Sequence, residues 1–459
     1  MALKKRYAIV GLGGRHEMFR TAILKEFAAT SELVALCDAN ATRVALSQAR
    51  AKEEGGCDVR GYVSGQFEEM IASCKPDTVI VTTRDREHDD YICRAMELGC
   101  DVITEKPMTI DADRCNRILD TQKQTGRRVT VTFNYRYAPP RTQVKELLMS
   151  GAIGNVLSVE FEWLLNVSHG ADYFRRWHRR KENSGGLMVH KATHHFDLVN
   201  WWLSTVPQDI YAMGHRRFYT PETGDRYGLK NRTERCHTCP EASHCRFALK
   251  LADNENQKAL YLDAEHEDGY FRDRCVFSPE MDIEDNMNVI VNYRSGAKLS
   301  YSLNAFLPWE GYMVRFNGTR GRLEHKCEES VYTNADGSVP GALNKEGTWI
   351  RVYPHWQPAY EVDVWEAEGG HGGADPQMLK YIFDPEGQPE DKYLRAADQR
   401  SGAWSILTGI AANISMGERR VVAVDELVPG LELPDYPAMP AGNEPLEMPQ
   451  DRGATGKQG

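Results

Sequence analysis

The sequence predicts an α/β protein with a doubly wound parallel sheet followed by a region of longer strands. Short apolar runs alternate with amphipathic helical segments up to about residue 133, which is the pattern of a parallel sheet covered on both faces. Beyond that point longer apolar runs are separated by turns, and residues 294–296 favour a hairpin between two of them. The expected units are 1–133, 134–428 with an insertion at about 216–276, and a Pro- and Gly-rich tail at 429–459.

The first strand and the loop after it have the pattern of a dinucleotide-binding turn. The apolar run 7–10 leads into Gly11-Leu12-Gly13-Gly14-Arg15-His16, and a helical segment follows. Glycines here let backbone N–H groups approach a pyrophosphate, and the N-terminus of the helix attracts its charge. His16 stands where the usual pattern has a third glycine. The residues expected at the cofactor are Gly11, Gly13, Gly14, Arg15 and His16.

Asp38 ends the second apolar run, 33–37, at the offset of about twenty residues where such proteins carry a ribose-binding acid. A carboxylate there binds the ribose 2′-hydroxyl of NAD and repels the 2′-phosphate of NADP. The alternative is that Asp38 caps the helix predicted over 41–52. We expect NAD as the cofactor.

A lysine stands at the carboxyl end of another predicted strand. The apolar run 101–104 is followed by Glu105-Lys106-Pro107, and the proline stops strand pairing because it has no N–H and a fixed φ. In open α/β sheets the ligand lies just outside the carboxyl ends of the strands. Lys106 is therefore expected to face the ligand.

These segments resemble the Gfo/Idh/MocA oxidoreductases over roughly residues 5–425. Further matching segments are the run 78–83 with His88 after it, 132–137, 185–188 and 318–321. The resemblance implies an N-terminal Rossmann domain, a C-terminal α/β domain with a large, mostly antiparallel sheet, NAD(P), and sugar or polyol substrates. We place Thr83, His88, Glu105 and Lys106 with the cofactor on this basis.

Histidines concentrate in the segment 185–197, where the spacing predicts His190, His194 and Asp197 on one side of a helix. The resembling family has an aspartate at the position of His190 and a histidine at that of His194. A histidine with pKa near 7 suits removal of a hydroxyl proton, so we predict His194 as general base and Lys106 as hydrogen-bond donor to the substrate oxygen. The alternatives are that these residues form ordinary ion pairs and core hydrogen bonds, or that the histidines bind zinc.

Basic and aromatic residues before this segment favour an anionic sugar. The run 173–181 contains four arginines, whose guanidinium groups bind carboxylate, sulfonate or phosphate. The alternative is a solvated face or a subunit contact. The residues predicted at the substrate are Arg176, Trp177, Arg179, His190, Lys191, His195 and His371, with Tyr135 as a further catalytic residue. His371 lies in a glycine-rich segment that either closes over the sugar or leads into a helix capped by Asp375, with Pro376 at its first position.

Four cysteines of the insertion form a metal-like pattern, namely Cys236, Cys239, Cys245 and Cys275. Tetrahedral thiolate sites favour zinc, and a close first pair is the usual start of such a site. The remaining spacing differs from a zinc ribbon and from the compact bacterial iron–sulfur run. We predict a structural zinc, with four free thiols as the alternative.

Composition limits the function classes. The formal charge of −10 argues against nucleic-acid or anionic-membrane partners, and no run approaches the ~18 apolar residues of a membrane span. Residues 1–7 lead into the first strand without a secretory segment, and eleven scattered cysteines fit a reducing compartment. We expect a cytoplasmic homodimer or homotetramer that acts on a small molecule.

The sequence thus predicts an NAD-dependent oxidoreductase acting on a sugar or sugar acid. One rival is a glycosidase in which NAD transiently oxidises a ring hydroxyl, elimination expels the aglycone and the hydride is returned. That scheme needs an additional base, for which His190, Tyr135 and His371 are candidates. A third hypothesis is a non-catalytic NAD-sensing or scaffold protein on the same fold.

Overall fold

The computed structural model describes residues 4–56, 58–333, 341–366, 370–442, 445–446 and 448, with only the backbone given for residues 333, 370 and 371. Its strands are β1 (Lys5–Val10), β2 (Ser31–Asp38), β3 (Arg60–Val63), β4 (Thr78–Val81), β5 (Asp101–Thr104), β6 (Val129–Val131), β7 (Val156–Asn166), β8 (Pro207–His215), β9 (Asn286–Tyr293), β10 (Lys298–Leu307), β11 (Gly311–Gly318), β12 (Gly321–Glu328), β13 (Trp349–Pro354), β14 (Tyr360–Val362), β15 (Ala397–Asp398) and β16 (Val422–Ala423).

Helices of very different length connect these strands. They are α1 (His16–Thr21), α2 (Ala41–Gly55), α3 (Phe67–Cys74), α4 (His88–Glu97), α5 (Ala112–Thr125), α6 (Pro139–Met149), α7 (Val167–Arg175), α8 (Lys181–Ser184), α9 (Gly186–His190), α10 (Thr193–Leu203), α11 (Pro221–Arg226), α12 (Glu255–Gln257), α13 (Glu265–Asp268), α14 (Ser330–Thr333), α15 (Gly370–Phe383) and α16 (Gln399–Glu418). In the described part of the chain, no helix is long and apolar enough to cross a membrane.

Two sheets organise the molecule, which confirms the predicted fold class. The first has the order β15-β6-β5-β4-β1-β2-β3, and its pairs are parallel except for β15 with β6. The second has the order β14-β13-β12-β11-β7-β10-β9-β8-β16, and its pairs are antiparallel except for β7 with β10. The carboxyl ends of β1, β2, β4 and β5 therefore meet at one edge of the first sheet, where a ligand is expected.

Local signals explain the regular helices of the first unit. Asp111 accepts a hydrogen bond from the Arg114 N–H at 2.9 Å and so caps α5, and Gly126 ends this helix with a left-handed φ of 65°. The four residues of β4 are all buried, as a central parallel strand with helices on both faces requires.

The long helix α16 joins the two units, because it contacts α5 and β6 of the first and β8, α9 and α10 of the second. A Cβ at Gly409 would lie 2.2 Å from the Met188 carbonyl oxygen, so only glycine allows α16 to approach α9 this closely. This packing fixes the short helix that ends at His190.

The predicted helix start at Asp375 is wrong. Helix α15 begins at Gly370, and Pro376 lies inside it. The Asp375 carboxylate instead accepts a hydrogen bond from Asn134 Nδ2 at 2.7 Å and lies 3.4 Å from Arg15 Nη2. Residues 367–369 of the predicted glycine loop, and the side chain of His371, lie outside the described residues.

Candidate active site

The glycine turn between β1 and α1 packs closely against the end of β4. Gly11 has a φ of +88°, and a Cβ on it would lie 2.5 Å from the Thr83 backbone nitrogen. Any side chain at residue 11 would therefore separate the two loops. A groove opens beside this contact, and the residues that line it include Gly13, Gly14, Arg15, Asp38, Thr83 and Arg176.

Asp38 holds the turn at the edge of the groove. Its carboxylate accepts the Leu12 N–H at 2.5 Å and the Asn40 N–H at 2.8 Å. The alternative that Asp38 caps α2 is wrong, because the side chain of Asn40 accepts the Arg43 N–H and caps this helix. Burial raises the pKa of Asp38, and Arg43, whose Nη1 lies 3.6 Å from Oδ1, acts in the opposite direction.

His16 packs inside the first unit and is not among the described residues that line the groove. Its Nδ1 lies 2.5 Å from the Gly13 carbonyl oxygen, and its Nε2 lies 2.9 Å from Arg20 and 3.0 Å from Ser47. Burial lowers its pKa to about 3, so the ring is neutral at pH 7. The side chain that replaces the third glycine thus fills the space between α1 and α2, which leaves the groove open.

The insertion forms the opposite wall of the groove. Tyr261, Asp268 and Tyr270 line it, and the Tyr261 hydroxyl accepts the Gly14 N–H at 3.1 Å. The sequence offers no motif for these residues, because Tyr261 and Asp268 lie in short helical turns and Tyr270 lies in the loop after them. We call residues 255–271 the clamp segment.

The clamp segment is fastened to the start of α2. The Glu267 carboxylate accepts the N–H groups of Ala41 at 2.6 Å and Thr42 at 3.0 Å, which are unpaired donors at the helix N-terminus. Asp268 lies 2.7 Å from Arg43 Nη1. Charged hydrogen bonds of this kind hold the clamp segment at the end of the groove that Asp38 and Arg43 line.

Lys106 follows β5 and lies among charged groups. Glu105, its neighbour, is paired with Arg15 Nε at 2.6 Å, which ties the glycine turn to the end of β5. Burial lowers the pKa of Lys106 to about 8; Glu105 and Asp85 oppose this shift, and Lys191 and Arg15 add to it. His88 braces the same edge, since its Nδ1 lies 2.8 Å from the Pro107 carbonyl oxygen and its Nε2 3.2 Å from that of Thr83.

A buried histidine and carboxylate lie close to Lys106. His190 Nδ1 is 2.5 Å from Asp85 Oδ2, and the His178 ring is 4.1 Å from the His190 ring. Burial lowers the pKa of both histidines, and Lys106 lowers that of His190 further. Asp85 comes from the loop after β4, so the His190–Asp85 pair joins the two units. No pattern in the sequence had pointed to Asp85.

His190, His178 and Asp85 also have the donor types of a metal site, with one ligand atom from each within 4.8 Å of the others. Three cations act on this group, because Lys106, Arg176 and Lys191 all lower the pKa of His190. Like charge opposes a divalent cation here and favours an anion. The predicted zinc alternative on His190 and His194 gains no support, since His194 is not part of this group.

The predicted single helix over 185–197 is wrong. Helix α9 ends at His190, and α10 starts at Thr193 because the chain turns between them. His194 stacks on the Tyr135 ring with centroids 4.0 Å apart. Asp197 forms a buried, bidentate ion pair with Arg136 at 2.6 and 2.8 Å, so its role is structural.

Lys191 lies between an aromatic wall and a buried carboxylate. Its Nζ donates to the Tyr135 hydroxyl at 3.3 Å and lies 3.9 Å from Glu310 Oε1. His169 Nδ1 holds this carboxylate at 2.8 Å. Glu310 and His169 were missed by sequence analysis, since neither belongs to a recognisable pattern.

Two residues predicted at the substrate are buried and are not among the described residues that line the groove. His195 Nδ1 is 2.6 Å from the Tyr301 hydroxyl, and the ring stacks on Trp163 at 4.0 Å. Arg179 Nη2 donates to Ser278 Oγ at 2.8 Å. Arg176 and Trp177, by contrast, line the groove.

The four cysteines of the insertion line one small cavity together with Phe247 and Phe277. All ten cysteines that the structure describes are free of disulfides. No three of the four sulfur atoms lie within 4.8 Å of one another among the described residues. The zinc site stays a prediction.

Comparison with known proteins identifies both units. A model described as the NAD-binding Rossmann fold of an oxidoreductase family matches residues 5–133, and one described as the C-terminal alpha/beta domain of this family matches residues 145–424. A relative in Bacillus subtilis (strain 168), which carries the name oxidoreductase YteT, is 35% identical over 92% of this chain and 98% of its own length. The inositol 2-dehydrogenase/D-chiro-inositol 3-dehydrogenase of Lactiplantibacillus plantarum is 24% identical over 47% of this chain and 56% of its own length. The WlbA dehydrogenase from Bordetella pertussis, solved in complex with NADH and UDP-GlcNAcA, has the same fold, with a TM-score of 0.60 at 17% identity over 92% of this chain and 99% of that chain.

Proposed function

The chain belongs to the Gfo/Idh/MocA family of NAD-binding oxidoreductases, and we propose that it transfers a hydride between a hydroxyl carbon of a sugar or sugar acid and NAD. The observation that carries this proposal is the buried group of Lys106, His190 and Asp85 beside the groove. An ammonium donor and a neutral imidazole near one another are what oxidation of a hydroxyl requires.

Each of these residues has a separate task. Lys106 donates a hydrogen bond to the substrate oxygen and holds the reacting carbon. His190 accepts the hydroxyl proton: its ring is neutral before the step, since burial and Lys106 lower its pKa, and the Asp85 carboxylate stabilises the imidazolium that forms. Asp85, 2.5 Å from Nδ1, fixes the orientation of the ring. When bound, NAD supplies the hydride acceptor, and the residues that fit it are the glycine turn, Asp38 and the clamp segment.

His190 and His194 are rival proton acceptors. The Asp85 contact supports His190, whereas His194 stacks on Tyr135, which suits a residue that shapes the sugar pocket. We expect His190→Gln to lower kcat by about 100-fold or more, and His194→Gln mainly to raise KM. If His194→Gln lowered kcat and His190→Gln mainly raised KM, His194 would be the proton acceptor. Steady-state kinetics on the best substrate separates the two.

Positive charge supports an acidic sugar as substrate. The charges of Lys106, Arg176 and Lys191 lower the pKa of His190, and Arg176 and Trp177 line the adjoining groove. A guanidinium group binds a carboxylate in bidentate fashion, and an aromatic ring offers an apolar face to the sugar. WlbA, which shares the fold, was solved with a sugar acid attached to a nucleotide.

Cofactor stoichiometry tests the reaction class. Neutral sugars, sugar acids and glycosides are incubated with the protein and NAD, and NADH and sugar product are counted. The proposal predicts one NADH per oxidised sugar. Aglycone release without NADH, accompanied by deuterium exchange from solvent into the product, would instead establish the glycosidase alternative. Binding of NAD without turnover of any sugar would favour the non-catalytic sensor.

A homo-oligomer is also proposed. Met213 on β8 and Ile290 on β9 are 60% and 57% exposed. These apolar side chains lie on the open face of the second sheet, which two copies would cover by face-to-face packing. Light scattering of the purified protein checks this.

A further inference from the structure

The four cysteines of the insertion are arranged around a cavity, and nothing in the oxidoreductase chemistry uses them. Cys236, Cys239, Cys245 and Cys275 line this cavity with apolar neighbours that include Phe247 and Phe277. We propose that the cavity binds an iron–sulfur cluster through the four thiolates, and that the cluster holds the clamp segment over the dinucleotide groove.

The fold brings the distant fourth cysteine to the other three. Arg235 and Arg274 form an isolated antiparallel β-bridge, so Cys236 and Cys275 flank this bridge on its two sides, in the same short paired segment. The Cys236 N–H donates to the Asp273 carbonyl at 2.8 Å, and the Cys275 N–H donates to the Glu234 carbonyl at 2.7 Å. The four cysteines can therefore bind one group, although their spacing in the sequence differs from that of the compact bacterial iron–sulfur run.

The spacing of the sulfur atoms distinguishes a cluster from a single ion. A tetrahedral zinc site with Zn–S bonds of about 2.3 Å holds its sulfur atoms about 3.8 Å apart. Among the described residues, no three of the four sulfurs meet even a 4.8 Å limit. A cluster with four thiolate ligands binds each of them at the corner of a larger core, so it accepts a wider arrangement.

The surroundings suit a buried anionic group. Arg175 Nη1 lies 4.0 Å from Cys236 Sγ, and Arg232 lines the cavity. These guanidinium groups offset the charge of the thiolates once they form.

A direct connection runs from the cavity to the clamp segment. Arg235, next to Cys236, binds Glu265 at 2.8 and 3.0 Å and Asp273 at 2.9 Å. Glu265 begins α13, the helix whose Glu267 and Asp268 fasten to α2 and Arg43. Loss of the group in the cavity would release Arg235 and loosen this helix.

Metal analysis of the full chain, purified without oxygen, tests the first part. We expect iron and acid-labile sulfide in equal amounts, about four of each per chain, with a visible charge-transfer absorption. The Cys239→Ser and Cys245→Ser variants should lose both. Cys100→Ser should keep them, because Cys100 only donates to the Pro76 carbonyl in the first unit. One zinc per chain without sulfide, or protein without either metal, would overturn the cluster.

NAD binding tests the second part and requires no sugar substrate, so it is independent of the proposed reaction. We expect the Cys239→Ser/Cys245→Ser protein to bind NAD about tenfold more weakly than Cys100→Ser, measured by calorimetry. Circular dichroism and the melting of the first unit identify any variant that has unfolded. As a second test without mutation, the affinity for NAD is measured on wild-type protein from which iron has been removed by chelation. Equal affinity with and without the cluster would contradict a role in holding the clamp.

Discussion

The two walls of the groove are built by different means. The wall from the first unit consists mainly of backbone, with Gly11 packed against Thr83 and the Gly13 and Gly14 loop open to the groove. The opposite wall consists of individual side chains, such as Tyr261 and Arg176, carried on short helices.

This difference separates two tasks. In the proposed complex, backbone N–H groups and Asp38 would bind the pyrophosphate and ribose that every NAD molecule has, and a regular fold is sufficient to place them. We propose that the side chains of the other wall enclose the cofactor, and that His190, beside the groove, accepts the substrate proton. Mutations in the two walls should therefore affect different kinetic constants.

The largest effect is expected at Lys106 of the first unit, which we propose as the hydrogen-bond donor to the substrate oxygen. Lys106→Met removes the ammonium donor, so kcat/KM should fall by about 1,000-fold, whereas the Kd for NAD should stay within about threefold. Kinetics and calorimetry measure the two constants. The matched control is Lys298→Met, since Lys298 is exposed on β10, far from the groove. A parallel loss of NAD binding would mean that Lys106 serves the cofactor alone.

The pH dependence should give a smaller effect. Burial lowers the pKa of Lys106 to about 8, so the ammonium form is present below that pH and is lost as the pH rises through it. We expect kcat/KM at saturating NAD to fall about tenfold per pH unit above this value. This decrease of kcat/KM with rising pH should be absent from the residual activity of Lys106→Met. A rate that stays constant up to pH 10 would remove Lys106 from the proton-dependent step.

The smallest effect is expected at Tyr261 in the clamp segment. Its hydroxyl accepts the Gly14 N–H, a group that the pyrophosphate would use. In the complex, the Tyr261 hydroxyl would instead donate a hydrogen bond to the charged phosphate, which contributes about 1.5–3 kcal/mol. The mutation removes this bond, and it also removes the neutral Gly14–Tyr261 bond of about 1 kcal/mol that competes with NAD. The first effect is the larger one. Tyr261→Phe should weaken NAD binding about fivefold. Tyr227→Phe, at an exposed tyrosine of the insertion, should bind as the wild type does.

The same contrast explains what the sequence could predict. The glycine turn and the positions of Asp38 and Lys106 at the ends of strands follow from local patterns, because each depends on neighbours in the chain. The partner of His190 was not predictable, since Asp85 lies 105 residues away, and Tyr261 lies 247 residues from Gly14. Histidine spacing also predicted one helix where the chain turns, because packing of α9 against α16 overrides the local period.

The central claim is that NAD lies between the glycine turn and the clamp segment. Hydrogen exchange measured with and without NAD tests it directly, because each wall is followed by its own peptides. NAD should slow exchange in peptides covering residues 11–16 and in those covering 261–270, and leave β12 unchanged. Protection of the glycine turn alone, with unchanged exchange in the clamp segment, would contradict the claim.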